Sequence, residues 1–95
     1  MNKTPIVFSM EGCPHCDNLK NQLKERKINF IEKDVDKEEN ELLYESFSKK
    51  VDNTYLPAIL IGKKAFVAEK SYNTIDQAVD IIENYLLELS HRENH

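Results

Sequence analysis

Cys13 and Cys16 are the only two cysteines of the chain, and only Pro14 and His15 separate them. They stand between an apolar run, Ile6-Val7-Phe8, and a segment with helical spacing, Cys16, Leu19 and Leu23. No other feature narrows the fold as far. A short apolar run reads as a buried strand, and apolar residues three and four apart read as one face of a helix. The pair therefore falls where a strand hands over to a helix. Pro14 takes the first helical position, where a fixed φ and a missing N–H cost nothing. A C-x-x-C at such a junction is where thiol–disulfide chemistry is expected.

The remaining chain supplies further elements in a definite order. Asn29 to Asp34 predicts a second strand. Asp36-Lys37-Glu38-Glu39 predicts the start of a second helix, with Asp36 as its cap, Leu42, Leu43 and Phe47 as its apolar side, and an end by Lys50. Val51 to Tyr55 is a polar connection. Leu56 to Ile61 reads as a third strand, Gly62-Lys63-Lys64 as a turn, and Ala65-Phe66-Val67 as a fourth strand, together a hairpin. Thr74-Ile75-Asp76-Gln77 has capping-box form. Ile75, Ala78, Val79, Ile82, Leu86 and Leu89 then recur at helical spacing, the clearest period in the chain. Ser90 to His95 reads as a polar, frayed tail. The order is β-α-β-α-β-β-α. Two strands joined by a helix are expected to be parallel with a right-handed crossover. The expected α/β fold is one four-stranded mixed sheet with helices on both faces.

Ninety-five residues make one domain, residues 1–95, with its core over about residues 5–89. A single unit of this kind is expected to act as a monomer. The net charge of −4 gives no basic footprint for nucleic acid and argues weakly against an anionic membrane surface. No run approaches the ~20 apolar residues of a membrane-spanning helix. Met1 to Pro5 leads into a strand without the apolar segment of a signal peptide. A reducing, cytoplasmic location is the expectation, and there a close cysteine pair is more often catalytic or metal-binding than structural. A zinc reading would join Cys13 and Cys16 to His91 and His95 as C-x-x-C…H-x-x-x-H. Those histidines lie far downstream in the polar tail, where cations suit the end of the last helix, and no metal is expected.

Helix geometry makes the two sulfurs unequal. Cys13 at the cap faces free backbone N–H groups and the positive end of the helix dipole, which favour thiolate over thiol. Cys16, inside the first turn, is expected to be buried and less acidic. Cys13 is thus the attacking thiolate and Cys16 the resolver that closes the Cys13–Cys16 disulfide. His15, whose imidazole can hold a positive charge near neutral pH, would stabilise the thiolate further and make the couple more oxidising; the plainer reading is a solvated turn residue. Pro57 opens a strand that otherwise reads as central, where proline is awkward. A cis bond there would leave the Leu56 backbone able to pair with an extended peptide as an added strand; an ordinary trans proline is the alternative.

Gly12-Cys13-Pro14-His15-Cys16 after a strand, Tyr55-Leu56-Pro57 before another, and the size and element order together resemble the glutaredoxin family of the thioredoxin-fold superfamily, from Ile6 to about Leu89. The C-P-H-C tetrad itself is also that of a larger, exported bacterial disulfide oxidase. The family resemblance implies a cis proline at Pro57 and reduction of protein disulfides and glutathione mixed disulfides, with glutathione as co-substrate and electron donor. It implies glutathione lying against Tyr55, Leu56 and Pro57, beside Cys13 and His15. It also implies a γ-glutamyl site near Glu69, Lys70 and Ser71, with Asn73 as a further candidate and Lys49 or Lys50 facing a glycyl carboxylate. Three positions depart from the family pattern. Met10 stands where a lysine is frequent, Val67-Ala68 where a glycine pair falls, and Glu69-Lys70 where a C-x-D or T-D-type pair falls. Rival readings are a thioredoxin-like electron donor reduced by a flavoenzyme of the thioredoxin-reductase type, a glutathione-dependent metal or iron–sulfur carrier, and an interaction module that merely retains the cysteines.

Overall fold

The structure is a computed structural model and describes residues 4–52 and 55–93. Its elements are β1 (Ile6–Ser9), α1 (Pro14–Glu25), β2 (Ile31–Asp34), a single 3-10 turn (Glu38–Asn40), α2 (Glu41–Val51), β3 (Ala58–Ile61), β4 (Lys64–Phe66) and α3 (Ile75–Glu93). The strands form one sheet in the order β2-β1-β3-β4. β1 and β2 run parallel, with Ile6 opposite Ile31, and β3 is antiparallel to both β1 and β4. This is the expected four-stranded mixed sheet. Gly62, at a φ of 60°, supplies the left-handed residue of the β3–β4 turn.

Side-chain alternation along the strands divides the core in two. On one face, Val7, Ile59 and Ile61 meet Leu19 and Leu23 of α1 and Ile75, Ala78, Val79 and Ile82 of α3. On the other, Phe8 and Ala58 meet Phe47 of α2, with Tyr44 and Val51 alongside. Fully burying an aliphatic side chain of this size contributes about 1.5–3 kcal/mol, so the α1–α3 stripe is the principal anchor of both helices.

Helix α3 matches its capping-box reading. The Thr74 hydroxyl accepts the Gln77 N–H at 3.2 Å, and Gln77 Oε1 accepts the Asn73 N–H at 2.9 Å. The helix runs on to Glu93, beyond the point where a frayed tail was expected. An Arg92–Glu88 pair at 2.6 Å, one turn apart, supports that extension. His95 lies outside the described residues.

Helix α2 departs from its expected start and face. Asp36 caps nothing. The Asp34 carboxylate accepts the Asp36 N–H at 2.9 Å, and the Asp34 carbonyl accepts from the Asn40 side chain at 2.9 Å. The end of β2 thereby folds its own turn, and α2 begins only at Glu41. Leu42 and Leu43 face solvent, with 80% and 42% of their surface exposed. The buried face is Tyr44, Phe47 and Val51. Two ring contacts set that rotation: Phe8 lies 4.8 Å from Phe47 and 5.4 Å from Tyr44, centroid to centroid.

Candidate active site

The chain leaves β1 at Ser9 and reaches α1 through Gly12, whose φ of 79° is a left-handed turn that a side chain would strain. Cys13 follows as the cap of α1 and Pro14 as its first residue. The Cys13 carbonyl accepts the Asp17 N–H at 3.1 Å, which starts the helix. The Cys13 sulfur accepts the Cys16 N–H at 3.2 Å. Cys13 and Cys16 are joined as a disulfide, with their Cα atoms 5.2 Å apart. Cys16 is fully buried, whereas Cys13 is partly open to solvent. Sequence reasoning assigned the same inequality. On reduction, a thiolate at Cys13 keeps a backbone donor and the helix dipole, and Cys16 waits behind it out of reach of solvent.

A groove of about 470 Å³ reaches the first turn of α1, where it is lined by His15, the residue between the chain's two bridged cysteines. His15 and Asn18 of α1 form one wall, Tyr55, Leu56 and Pro57 the floor, and Ala68, Glu69 and residues 72–76 the far wall. The Leu56–Pro57 bond is cis. Tyr55 is half exposed, and Pro57 is buried. Five of the residues assigned from sequence to a substrate surface, Tyr55, Leu56, Pro57, Glu69 and Asn73, thus meet His15 around one cavity.

Lys70 and Ser71 stand differently. The Lys70 ammonium reaches the carbonyls of Val51 and Asp52 at the C-terminus of α2, where a cation suits the dipole. The Ser71 hydroxyl accepts the Val67 N–H at 3.1 Å. Both hold the wall in shape instead of lining the groove. Lys49 pairs with Glu45 at 3.0 Å along α2. His91 is exposed in the last turns of α3, among that helix's terminal basic residues.

Tyr72 was missed by sequence reasoning. Its ring is buried in the core, and its hydroxyl donates to the Pro57 carbonyl at 2.7 Å. Burial pushes its phenol up to about 12. The only sequence signal was a tyrosine in an otherwise polar loop. Behind the site, Ser9 is buried and donates to Glu32 at 2.7 Å, and Lys20 reaches the same carboxylate. Lys20 holds the Glu32 carboxyl below its ordinary value, and Glu32 raises the Lys20 ammonium in return.

A disulfide capping the helix after the first strand, together with a cis-proline loop that shares a groove with His15 on a thioredoxin-like sheet, defines a thiol–disulfide oxidoreductase. The glutaredoxin family model matches residues 6–67, and the chain belongs to that family. Among solved structures, the holo form of glutaredoxin C1 from Populus tremula x tremuloides is similar at a TM-score of 0.64 and 22% identity, covering 90% of this chain and 80% of that one. A mutant of the thioredoxin-like protein BC3987 is similar at a TM-score of 0.57 and 20% identity, covering 68% of this chain and 85% of that one. No curated protein matches the chain. Among the described residues, no helix is long and apolar enough to cross a membrane.

Proposed function

We propose that this glutaredoxin reduces disulfides of other proteins through the Cys13/Cys16 dithiol in the cytoplasm, with glutathione mixed disulfides as a second substrate class. The observation that carries the reading is the pairing of a helix-capping Cys13 sulfur, held by the Cys16 N–H at 3.2 Å, with a fully buried Cys16. The Cys13 thiolate attacks one sulfur of the substrate disulfide. That S–S bond breaks, a mixed disulfide forms, and the departing sulfur takes a proton. Cys16, deprotonated, then attacks the Cys13 sulfur and releases the second substrate thiol. The substrate gains two electrons and two protons, and the protein is left with the Cys13–Cys16 bridge. The backbone at Leu56 gives an extended substrate chain a strand-like edge beside that bridge.

Return to the dithiol needs an external reductant, either glutathione or a flavoenzyme of the thioredoxin-reductase type. Offering the oxidised protein each system separately decides between them. Recovery of two free thiols with glutathione and its reductase supports glutathione as donor. Recovery only with thioredoxin reductase and NADPH supports the thioredoxin-like reading. Recovery with neither overturns the reductive role.

A further inference from the structure

The groove at His15 is acidic. Glu69 and Asp76 both line it, and no lysine or arginine does so among the described residues. The fold holds the backbone of one acidic residue and the side chain of the other. Glu69 sits at the tip of a closed turn, at a φ of 69°, with its N–H given to the Tyr72 carbonyl at 2.8 Å. Asp76 accepts from the Gln22 side chain at 2.8 Å, and the same amide group reaches Asn18 at 3.0 Å, so Asp76 is held against α1 at the groove's edge.

The other feature of that wall is the N-terminus of α3, which elsewhere would welcome a ligand carboxylate. Here it is answered in part from within the chain. Gln77 takes the Asn73 N–H, Thr74 takes the Gln77 N–H, and Asp76 places its own negative charge in the first turn. Glutathione brings two carboxylates against one ammonium. It would meet two carboxylates, a partly capped helix end that already carries one of them, and no lysine or arginine among the described lining residues.

We infer that Glu69 and Asp76 set the substrate preference of this groove: it takes a disulfide carried on an extended, lysine- or arginine-bearing protein segment, and disfavours anionic thiols such as glutathione. The inference rests on the dithiol reading above and ranks its two substrate classes. The electrons come from the Cys13/Cys16 dithiol, as in the steps already written, so a single turnover of pre-reduced protein needs no further reductant.

The test uses the full chain, reduced beforehand, and three disulfide peptides of equal length whose cysteines are flanked by lysine, serine or glutamate. The expected result at low ionic strength is that the lysine peptide reacts about tenfold faster than the glutamate peptide, with serine between, the size expected of a few solvent-screened charge pairs. The ratio shrinks towards one in 1 M salt, where screening acts within about 3 Å. It also shrinks in Glu69→Gln/Asp76→Asn, which keeps the size and hydrogen-bonding oxygens of both side chains and gains relative rate on glutathione mixed disulfides. Equal rates for all three peptides, or an unchanged ratio in the double variant, overturn the inference and leave the oxidoreductase reading standing. Failure to reduce any peptide overturns both.

Discussion

The Tyr72 hydroxyl donates a 2.7 Å hydrogen bond to the carbonyl of Pro57. A core residue of the α3 side thereby fixes the floor of the active-site groove from beneath. Replacing the phenol by Phe leaves the ring's packing and removes the donor from a buried carbonyl, which costs about 1–3 kcal/mol. Tyr72→Phe is expected to lower stability by that amount in urea unfolding. It is also expected to raise KM for disulfide substrates more than it lowers kcat, since the floor is displaced while the thiols are untouched. A variant with wild-type stability and wild-type KM would rule out this role.

The same residue predicts an alkaline limit. The folded protein keeps the phenol protonated up to about 12, against 10.0 for a free tyrosine. Above pH 10 the unfolded chain binds fewer protons than the folded one, so stability falls as pH rises. The contribution is whole below pH 10 and is lost on passing through pH 12. Chemical unfolding across that interval should show a decline that is shallower in Tyr72→Phe.

At the acid end, the sign reverses for Glu32. Its carboxyl is held below the ordinary 4.5 by Lys20 and Ser9. Stability from this trio is present above pH 4.5 and is lost as pH falls through the lower folded value. Because the pair is partly solvated, it is worth at most about 1 kcal/mol. Glu32→Gln should remove that increment at pH 7 and leave a flatter profile below pH 4.5.

The unequal sulfurs predict unequal variants. Cys13→Ser is expected to lose all thiol transfer, because the cap nucleophile is gone. Cys16→Ser is expected to keep whatever activity the protein has on glutathione mixed disulfides and to lose reduction of protein disulfides, where resolution from within is needed. Equal losses in both variants on a glutathione mixed disulfide would contradict the assigned roles.

The rotation of α2 is tested by stability alone. Phe47→Ala empties a site against Phe8 and should cost about 3–5 kcal/mol. Leu42→Ala touches solvent and should stay within about 0.5 kcal/mol. The reverse ranking would restore the leucine face suggested by hydropathy.

Those expectations mark where sequence reasoning carried and where it stopped. The strand–cysteine–helix junction and α3 were legible because local signals agree with the final packing: Pro14 after a capping cysteine, and a Thr74–Gln77 box ahead of an unbroken stripe. Helix α2 was misread because Leu42, Leu43, Tyr44, Phe47 and Val51 allow two overlapping apolar faces. Only the distant Phe8 ring chooses between them. Its start was misread because the residue that organises it, Asp34, belongs to the preceding strand. Tyr72, Lys70 and Ser71 were opaque for a shared reason. Their partners lie on other elements, at Pro57 and Val51, or depend on a turn whose closure no local pattern announces.

The segment from Val67 to Asn73 has a consequence for how such a protein can change. Lys70, Ser71 and Tyr72 point back into the frame and hold α2, the turn and the groove floor. Glu69, at the exposed tip, shares none of those side-chain duties. A lineage could thus replace the tip's charge, and with it the company the protein keeps, while the scaffold residues on the same short stretch stay unaltered. Framework and preference are interleaved along one loop yet separable one residue at a time.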